Sequence, residues 1–509
     1  MTTTPAQAGI PSGRTLFKNI LQGSGLYSIA IVGQRLASVA LLPITTRFLT
    51  PADYGMADLL EQVGVILAIV LGLQFSSSLG YFYFRSEARE ARRAVASTGI
   101  IGAGCLGVLV ALLCWPFAPL ISRLVFGSAI GAPYLRLVFA TMPASFFLEA
   151  LLSWVRVEDR PGMYVIGTMV RIGVTIVGTV LLVGIYRLHV WGVLATSLAA
   201  MLVTGAFMGV YWLRSSRPAF DARLFVAMAR FAAPVGLSGV AVFLIHFGDR
   251  FFLPHYRPLA ELGIYVLAYK LGMLLAVIYA AFQIYWSAQV YQIMQRHDAD
   301  EVFARLFTYV ILGLSFFGLG IVVCAQPTLK ILAAPAYQGA AALVPVIVAA
   351  YYTRAVGDFV RCLFLAAGRP GYDAACNWLG ALFCLTGYIL LIPKYGIWGA
   401  AFATVAAFTV IGVVSVVWTY RLRPYRIESG RMAKIGLSLA AALPVYLLPR
   451  AASLPAQIGL AALSVSVFLV ALWVLRFPTR GELVAGRTAI QSAFRRLGMV
   501  SSAGVPAGD

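Results

Sequence analysis

Long apolar runs separated by short polar connections make up most of this chain. Fourteen runs stand out: 26–49, 57–82, 94–116, 134–153, 163–186, 191–213, 230–254, 262–288, 306–325, 341–366, 374–392, 397–420, 432–448 and 456–476. Most have the length of roughly 20 residues that a helix needs to cross a hydrocarbon layer. The alternating segments of ~10 residues that mark a membrane-spanning barrel do not occur. Glycine and proline inside several runs do not interrupt them, because neighbouring helices re-satisfy the freed backbone groups. The connections are short, so no soluble domain is inserted. The pattern predicts an all-α integral membrane protein of about 14 transmembrane helices.

Landmarks recur at a nearly constant spacing. Arg47-Phe48-Leu49-Thr50-Pro51, followed by Tyr54-Gly55, resembles Arg250-Phe251-Phe252-Leu253-Pro254, followed by Gly263 and Tyr265. Gly55 and Gly263 are 208 residues apart. Arg160-Pro161-Gly162 and Arg369-Pro370-Gly371 are 209 apart, and Trp191-Gly192 and Trp398-Gly399 are 207 apart. Each copy holds six runs, so both copies share one orientation, related by an axis along the membrane normal. The expected division is a disordered N-terminus (1–13), a six-helix lobe (14–213), a linker (214–229) and a second six-helix lobe (230–425). Two further helices (426–476) and a tail (477–509) follow. Leu483, Ile490, Phe494 and Leu497 in the tail fit either a surface amphipathic helix or a frayed end.

Composition agrees with the pattern. The chain is 61% hydrophobic and 11% charged, with a mean hydropathy of +0.87, whereas a soluble domain is about 25% charged. The net charge of +20 does not indicate nucleic acid, because the basic residues lie in short loops. Of 39 Lys+Arg, 26 fall on one side of the runs and nine on the other. The richer side is expected to be cytoplasmic, with both termini there. The six cysteines lie in or beside apolar runs, without CxxC or adjacent histidine, and read as core residues. The N-terminus, MTTTPAQAGIPSG, has no basic region before an apolar core, so no cleavable signal is expected. There is no GxxxxGK[ST] loop, no HExxH, no Ser/His/Asp arrangement and no metal spacing among the four histidines. No cofactor and no enzymatic activity are expected. Asp298-Ala299-Asp300 matches the DxD pattern of metal-dependent glycosyltransferases, but no nucleotide-binding fold surrounds it.

Charges within apolar runs are the chemistry-bearing candidates, since a charge in lipid is expensive and usually faces a protein interior or aqueous cavity. Arg35, Arg171, Lys270 and Arg354 sit well inside runs, and Arg47 and Arg250 near run ends. Together they suggest a cationic cavity for an anionic headgroup, the arginine fork being suited to phosphate oxygens. Arg354 and Asp358, four apart, fit equally an intrahelical packing pair. Arg47 and Arg250 also fit snorkelling to the interface. His246 and Asp249, three apart, fit proton or sodium coupling, or neutralisation of an arginine on another helix. Tyr279, Tyr285, Trp286, Tyr351 and Tyr352 fit sugar stacking or ordinary lipid-facing positions. Glu149 reads as interfacial.

Leu41–Leu60, LLPITTRFLTPADYGMADLL, resembles the first-helix signature of Wzx-type oligosaccharide flippases. Asp249–Lys270, with DRFFL and LGIYVLAYK, resembles the matching seventh-to-eighth-helix signature, and RPG and KYGIWGAA also fit. The resemblance covers residues 14–425 and places the chain beside the multidrug and toxin extrusion (MATE) transporters and lipid II flippases. It implies two six-helix lobes around a V-shaped cavity, and alternating access. It also implies a polyprenyl-diphosphate-linked oligosaccharide carried from the inner to the outer leaflet of a bacterial cytoplasmic membrane. That belongs to O-antigen or exopolysaccharide synthesis, beside a polymerase and a chain-length regulator. Arg35, Arg47, Arg250 and Lys270 are the positions it points to. A drug/cation antiporter and an integral membrane polymerase or ligase remain alternatives. The absence of an acid in the first run argues against a cationic substrate, and the short external loops argue against an enzyme. Lipid II flippases also carry fourteen helices, so helix number does not separate them.

Overall fold

The computed structural model describes residues 33–478 apart from 35, 73–74, 217, 423–424 and 448–452. Arg35, the N-terminal segment and the tail beyond 478 lie outside the described residues. The described residues are nearly all helical. In order they form α1 (Leu42–Phe48), α2 (Pro51–Val70), α3 (Phe75–Arg85), α4 (Arg89–Cys114), α5 (Ala118–Phe126) and α6 (Ala132–Val157). Next come α7 (Pro161–Gly178), α8 (His189–Ser215), α9 (Ala222–Phe247), α10 (Asp249–Phe252), α11 (Leu259–Gly272) and α12 (Leu274–Ile293). The last six are α13 (Ala299–Leu332), α14 (Ala340–Ala366), α15 (Pro370–Tyr395), α16 (Ile397–Leu422), α17 (Ser429–Leu447) and α18 (Leu454–Val474).

Eleven helices among the described residues are long and apolar enough to cross a membrane. The runs expected at 26–49, 57–82 and 432–448 are not among them. The first begins outside the described residues. The second is divided between α2 and α3, and α2 carries Asp53, Asp58 and Glu61. The third, α17, opens with Arg431 and Lys434 in its first turns.

Local chemistry fixes where helices begin. Thr50 closes a capping box on α2: its hydroxyl accepts the Asp53 N–H at 3.1 Å, and the Asp53 carboxylate accepts the Thr50 N–H at 3.2 Å. Pro51 then occupies a helix-start position, where its missing N–H costs nothing. Asp221 caps α9 by accepting the Arg223 and Leu224 N–H groups. The paired landmarks share local structure. Arg160 and Arg369 precede α7 and α15 with nearly the same backbone angles, φ −112°, ψ 64° and φ −120°, ψ 63°. Gly192 and Gly399 each press against the end of the preceding helical segment. A Cβ on Gly192 would lie 2.9 Å from the Leu182 carbonyl oxygen, and one on Gly399 2.2 Å from that of Leu391.

The chain forms two compact units, one within Met1–Val290 and Thr328–Leu422, the other within Tyr291–Pro327 and Arg423–Asp509. Residues 291–327 of the expected second lobe thus group with the C-terminal helices. In the larger unit, α4 and α8 pack on α6, α7 on α8, α14 and α15 on α16, and α11 on α2. In the smaller unit, α17 packs on α18.

Candidate functional site

Both copies of the recurring motif break their helix. α1 ends at Phe48, Leu49 and Thr50 are extended, and α2 starts at Pro51. In the second copy α9 ends at Phe247, α10 adds one turn, Leu253–His255 form a 3-10 turn, and α11 restarts at Leu259. The two restarted helices meet at the landmark glycines. A Cβ on Gly263 would lie 1.9 Å from the Pro51 carbonyl oxygen, and one on Gly55 2.5 Å from that of Leu259. Backbone therefore lies on backbone, which only glycine permits. The same end is tied by further contacts. The Tyr337 hydroxyl donates to the Leu49 carbonyl at 3.0 Å, the Ala334 N–H donates to the Thr46 hydroxyl at 3.3 Å, and Tyr337 meets Tyr54 edge to face.

Charges cluster beside this junction. Arg250, 4% exposed, donates from Nη1 to Asp58 Oδ2 on α2 at 2.6 Å. Its guanidinium lies 4.9 Å from the Phe247 ring and 5.6 Å from the Tyr269 ring. Its Nε is buried without a partner among the described residues. Asp249 is fully buried and its charge also acts on Arg250, but its two carboxylate oxygens bond to other groups. One oxygen accepts the Arg250 backbone N–H at 2.8 Å, and the other accepts the Tyr265 hydroxyl. Lys270, on α11, holds its ammonium 4.9 Å from the Tyr54 ring centre. Arg47, by contrast, is exposed. Arg250 is thus enclosed by protein, which snorkelling to the interface does not describe.

His246 and Asp249 are not joined by a hydrogen bond among the described residues. His246 stacks with Tyr351 at 6.1 Å and meets the Phe408 edge at 5.5 Å, and its Nδ1 is buried without a partner. The Arg354–Asp358 pair is real, with Nε to Oδ1 at 3.0 Å, but it belongs to a larger network. Arg361 donates to Asp358 at 2.6 Å and to Asn377 at 2.9 Å, Arg354 reaches Asn377 at 3.3 Å, and Arg361 approaches Asp373 at 3.4 Å. Arg361, near the end of the run 341–366, counts by sequence with the charges of the richer side; the structure places it inside α14 and buried. Asp58, Arg361, Asp373 and Asn377, which are not among the expected site residues, thus complete these polar groups.

Arg171 lies elsewhere. It faces Glu149 at 3.7 Å, and both line a cavity of 570 Å³ enclosed by residues of the first repeat. Glu61, Thr175 and Ser197 also line it. Glu149, expected at the interface, is therefore part of a cavity wall. Asp58 and Glu61 were detectable as two acids one turn apart within an apolar run.

The aromatic expectations divide. Trp286 is fully buried, its N–H donates to the Phe359 carbonyl at 2.9 Å and its face stacks on Phe359 at 4.5 Å. This corrects the sugar-stacking reading: both its face and its polar handle are taken by the core. Tyr279 and Tyr351 are buried, at 7% and 2% exposure, and Tyr352 is half-buried. The Tyr285 side chain lies outside the described residues. Asp298 of the DxD pattern is chelated by Arg296 at 2.8 Å, whose hydrogen bonds hold its carboxyl below the usual carboxylate range. No cluster of metal-ligating side chains occurs among the described residues.

A family model described as "Polysaccharide biosynthesis protein" matches residues 20–284. No curated relative matches the chain significantly. Among solved structures, the lipid II flippase MurJ in an inward closed conformation aligns with TM-score 0.72 at 15% identity, over 88% of this chain and 98% of its own. An inward-facing multidrug resistance MATE transporter of the MOP superfamily aligns with TM-score 0.61 at 18% identity, over 77% and 94%. A MOP superfamily transporter from Pyrococcus furiosus aligns with TM-score 0.56 at 17% identity, over 80% and 95%. At these identities the likeness establishes a shared helical fold.

Proposed function

We propose a function for this chain, which belongs to the polysaccharide biosynthesis protein family: it flips a polyprenyl-diphosphate-linked oligosaccharide across the bacterial cytoplasmic membrane. Transport runs from the inner to the outer leaflet by alternating access between two six-helix lobes, with both termini cytoplasmic and two further helices at the C-terminal end. The carrying observation is the cationic pair at the repeat junction, Arg250 and Lys270, held on broken helices inside apolar runs. Each such charge would cost roughly 2.5–3.5 kcal/mol if it faced lipid, which favours their facing the protein interior, where an anionic diphosphate can compete for them. The cycle is driven by different affinities of the headgroup for the two states. Membrane lipids, a polymerase and a chain-length regulator are the expected partners.

A second reading, a drug/cation antiporter, draws support from Glu61 and Glu149 in the cavity of the first repeat. One experiment separates the readings. In cells lacking this protein, the sidedness of the lipid-linked oligosaccharide is probed with a membrane-impermeant glycosidase. The flippase reading expects accumulation and protection from the external enzyme. Accessible but unpolymerised units would assign a polymerase or ligase, and unchanged amount and sidedness would favour the antiporter.

A further inference from the structure

The Arg250–Asp58 pair joins the two repeats beside the contact of Gly55 and Gly263. We infer that Asp58 is a resident stand-in for the substrate's diphosphate: it occupies the anion site of Arg250 in the closed state and yields it when a diphosphate arrives. The inference rests on the flippase reading above and adds a specificity-determining residue to it.

Three observations carry it. First, the pairing is incomplete. Asp58 takes only Nη1 of the guanidinium, and the buried Nε has no partner among the described residues. A phosphoryl group offers several oxygens and matches the planar fork bidentately, so it is a stronger partner than a one-point carboxylate. Second, the competing acid is already engaged. Asp249, next in sequence, accepts from Tyr265 and from a backbone N–H, so it acts on Arg250 by charge alone and Asp58 is the direct, exchangeable ligand. Third, a destination for Asp58 exists. Tyr54 and Asp58 lie four apart on one face of α2, and the Lys270 ammonium sits over the Tyr54 ring. The Lys270 charge already acts on Asp58, so a carboxylate released by Arg250 stays beside a cation.

The consequence is a coupling between cargo and movement. Separating the repeats at Gly55 and Gly263 parts α2 from α10 and α11, and would strand Arg250 and Asp58 as unpaired buried charges. A diphosphate at Arg250 removes that penalty. An uncharged polyprenyl lipid does not, so the junction opens only for an anionic headgroup.

The test uses the full chain in lipid nanodiscs, its six cysteines replaced by alanine, with spin labels at Arg47→Cys and Ala336→Cys. The distance across the junction is measured by pulsed electron resonance, and lipid binding is measured in parallel. Undecaprenyl diphosphate should shift the distance distribution from short to long, and undecaprenol should leave it short. This comparison needs no change at the pair. Asp58→Asn should raise the open population on the order of tenfold or more without any ligand, and Asp58→Glu should restore closure and the diphosphate response. Equal opening by the two lipids, or an Asp58→Asn protein that stays closed, overturns the inference. If undecaprenyl diphosphate binds while Asp58→Asn stays closed, the inference alone fails. If undecaprenyl diphosphate does not bind, the flippase reading fails and the inference falls with it.

Discussion

The two helix breaks, at Phe48–Pro51 and at Gly248–Pro258, carry the same motif and treat its arginine differently. In the first, an extended dipeptide and a capping box restart the helix at once, and Arg47 is exposed. In the second, a short turn of helix and a 3-10 turn draw out the break, and Arg250 is buried. An arginine outside the protein interior needs no partner from the fold. A buried one demands a fixed partner, and Asp58 supplies it from the other repeat. Duplication provides two similar scaffolds; burial at one of them turns an exposed charge into a paired one.

Substitutions at the two breaks test this contrast. The largest effect is expected from Arg250→Ala, which removes the direct partner of the half-buried Asp58. Its destabilisation should be about 3–5 kcal/mol in denaturant unfolding, and Asp58→Ala in the same chain should recover part of it. A loss as small as that of Arg47→Ala would erase the distinction. Gly263→Ala should cost about 1–3 kcal/mol through overpacking against the Pro51 carbonyl. Gly371→Ala, whose added carbon meets nothing within 4 Å, is the control. Arg47→Ala is expected to be the mildest, changing stability by no more than about 0.5 kcal/mol; a larger loss would mean the first break also holds a structural charge.

Much of the architecture is legible in one dimension, because lipid imposes a length and a composition on every spanning helix. The landmark glycines at 55 and 263 are visible as a recurring spacing, and the structure shows them touching. The site is only partly legible. Arg250 and Lys270 stand out as charges in apolar surroundings. Asp58 is 192 residues from Arg250, and Arg361 reads as a charge of the membrane edge because it lies near the end of its run. Trp286 illustrates the converse: an aromatic in an apolar run does not reveal whether its face meets a sugar or Phe359.

Sequence by itself determined the helical, membrane-spanning class, the repeat, the two breaks and the presence of cations within apolar runs. These follow from hydropathy and local backbone chemistry, which act over a few residues. Only the tertiary structure decided which arginine is buried, which carboxylate meets it, and which polar groups share the Arg354 network. Those outcomes depend on the packing of helices far apart in the chain, where a buried charge is stable only beside the partner that the fold brings to it.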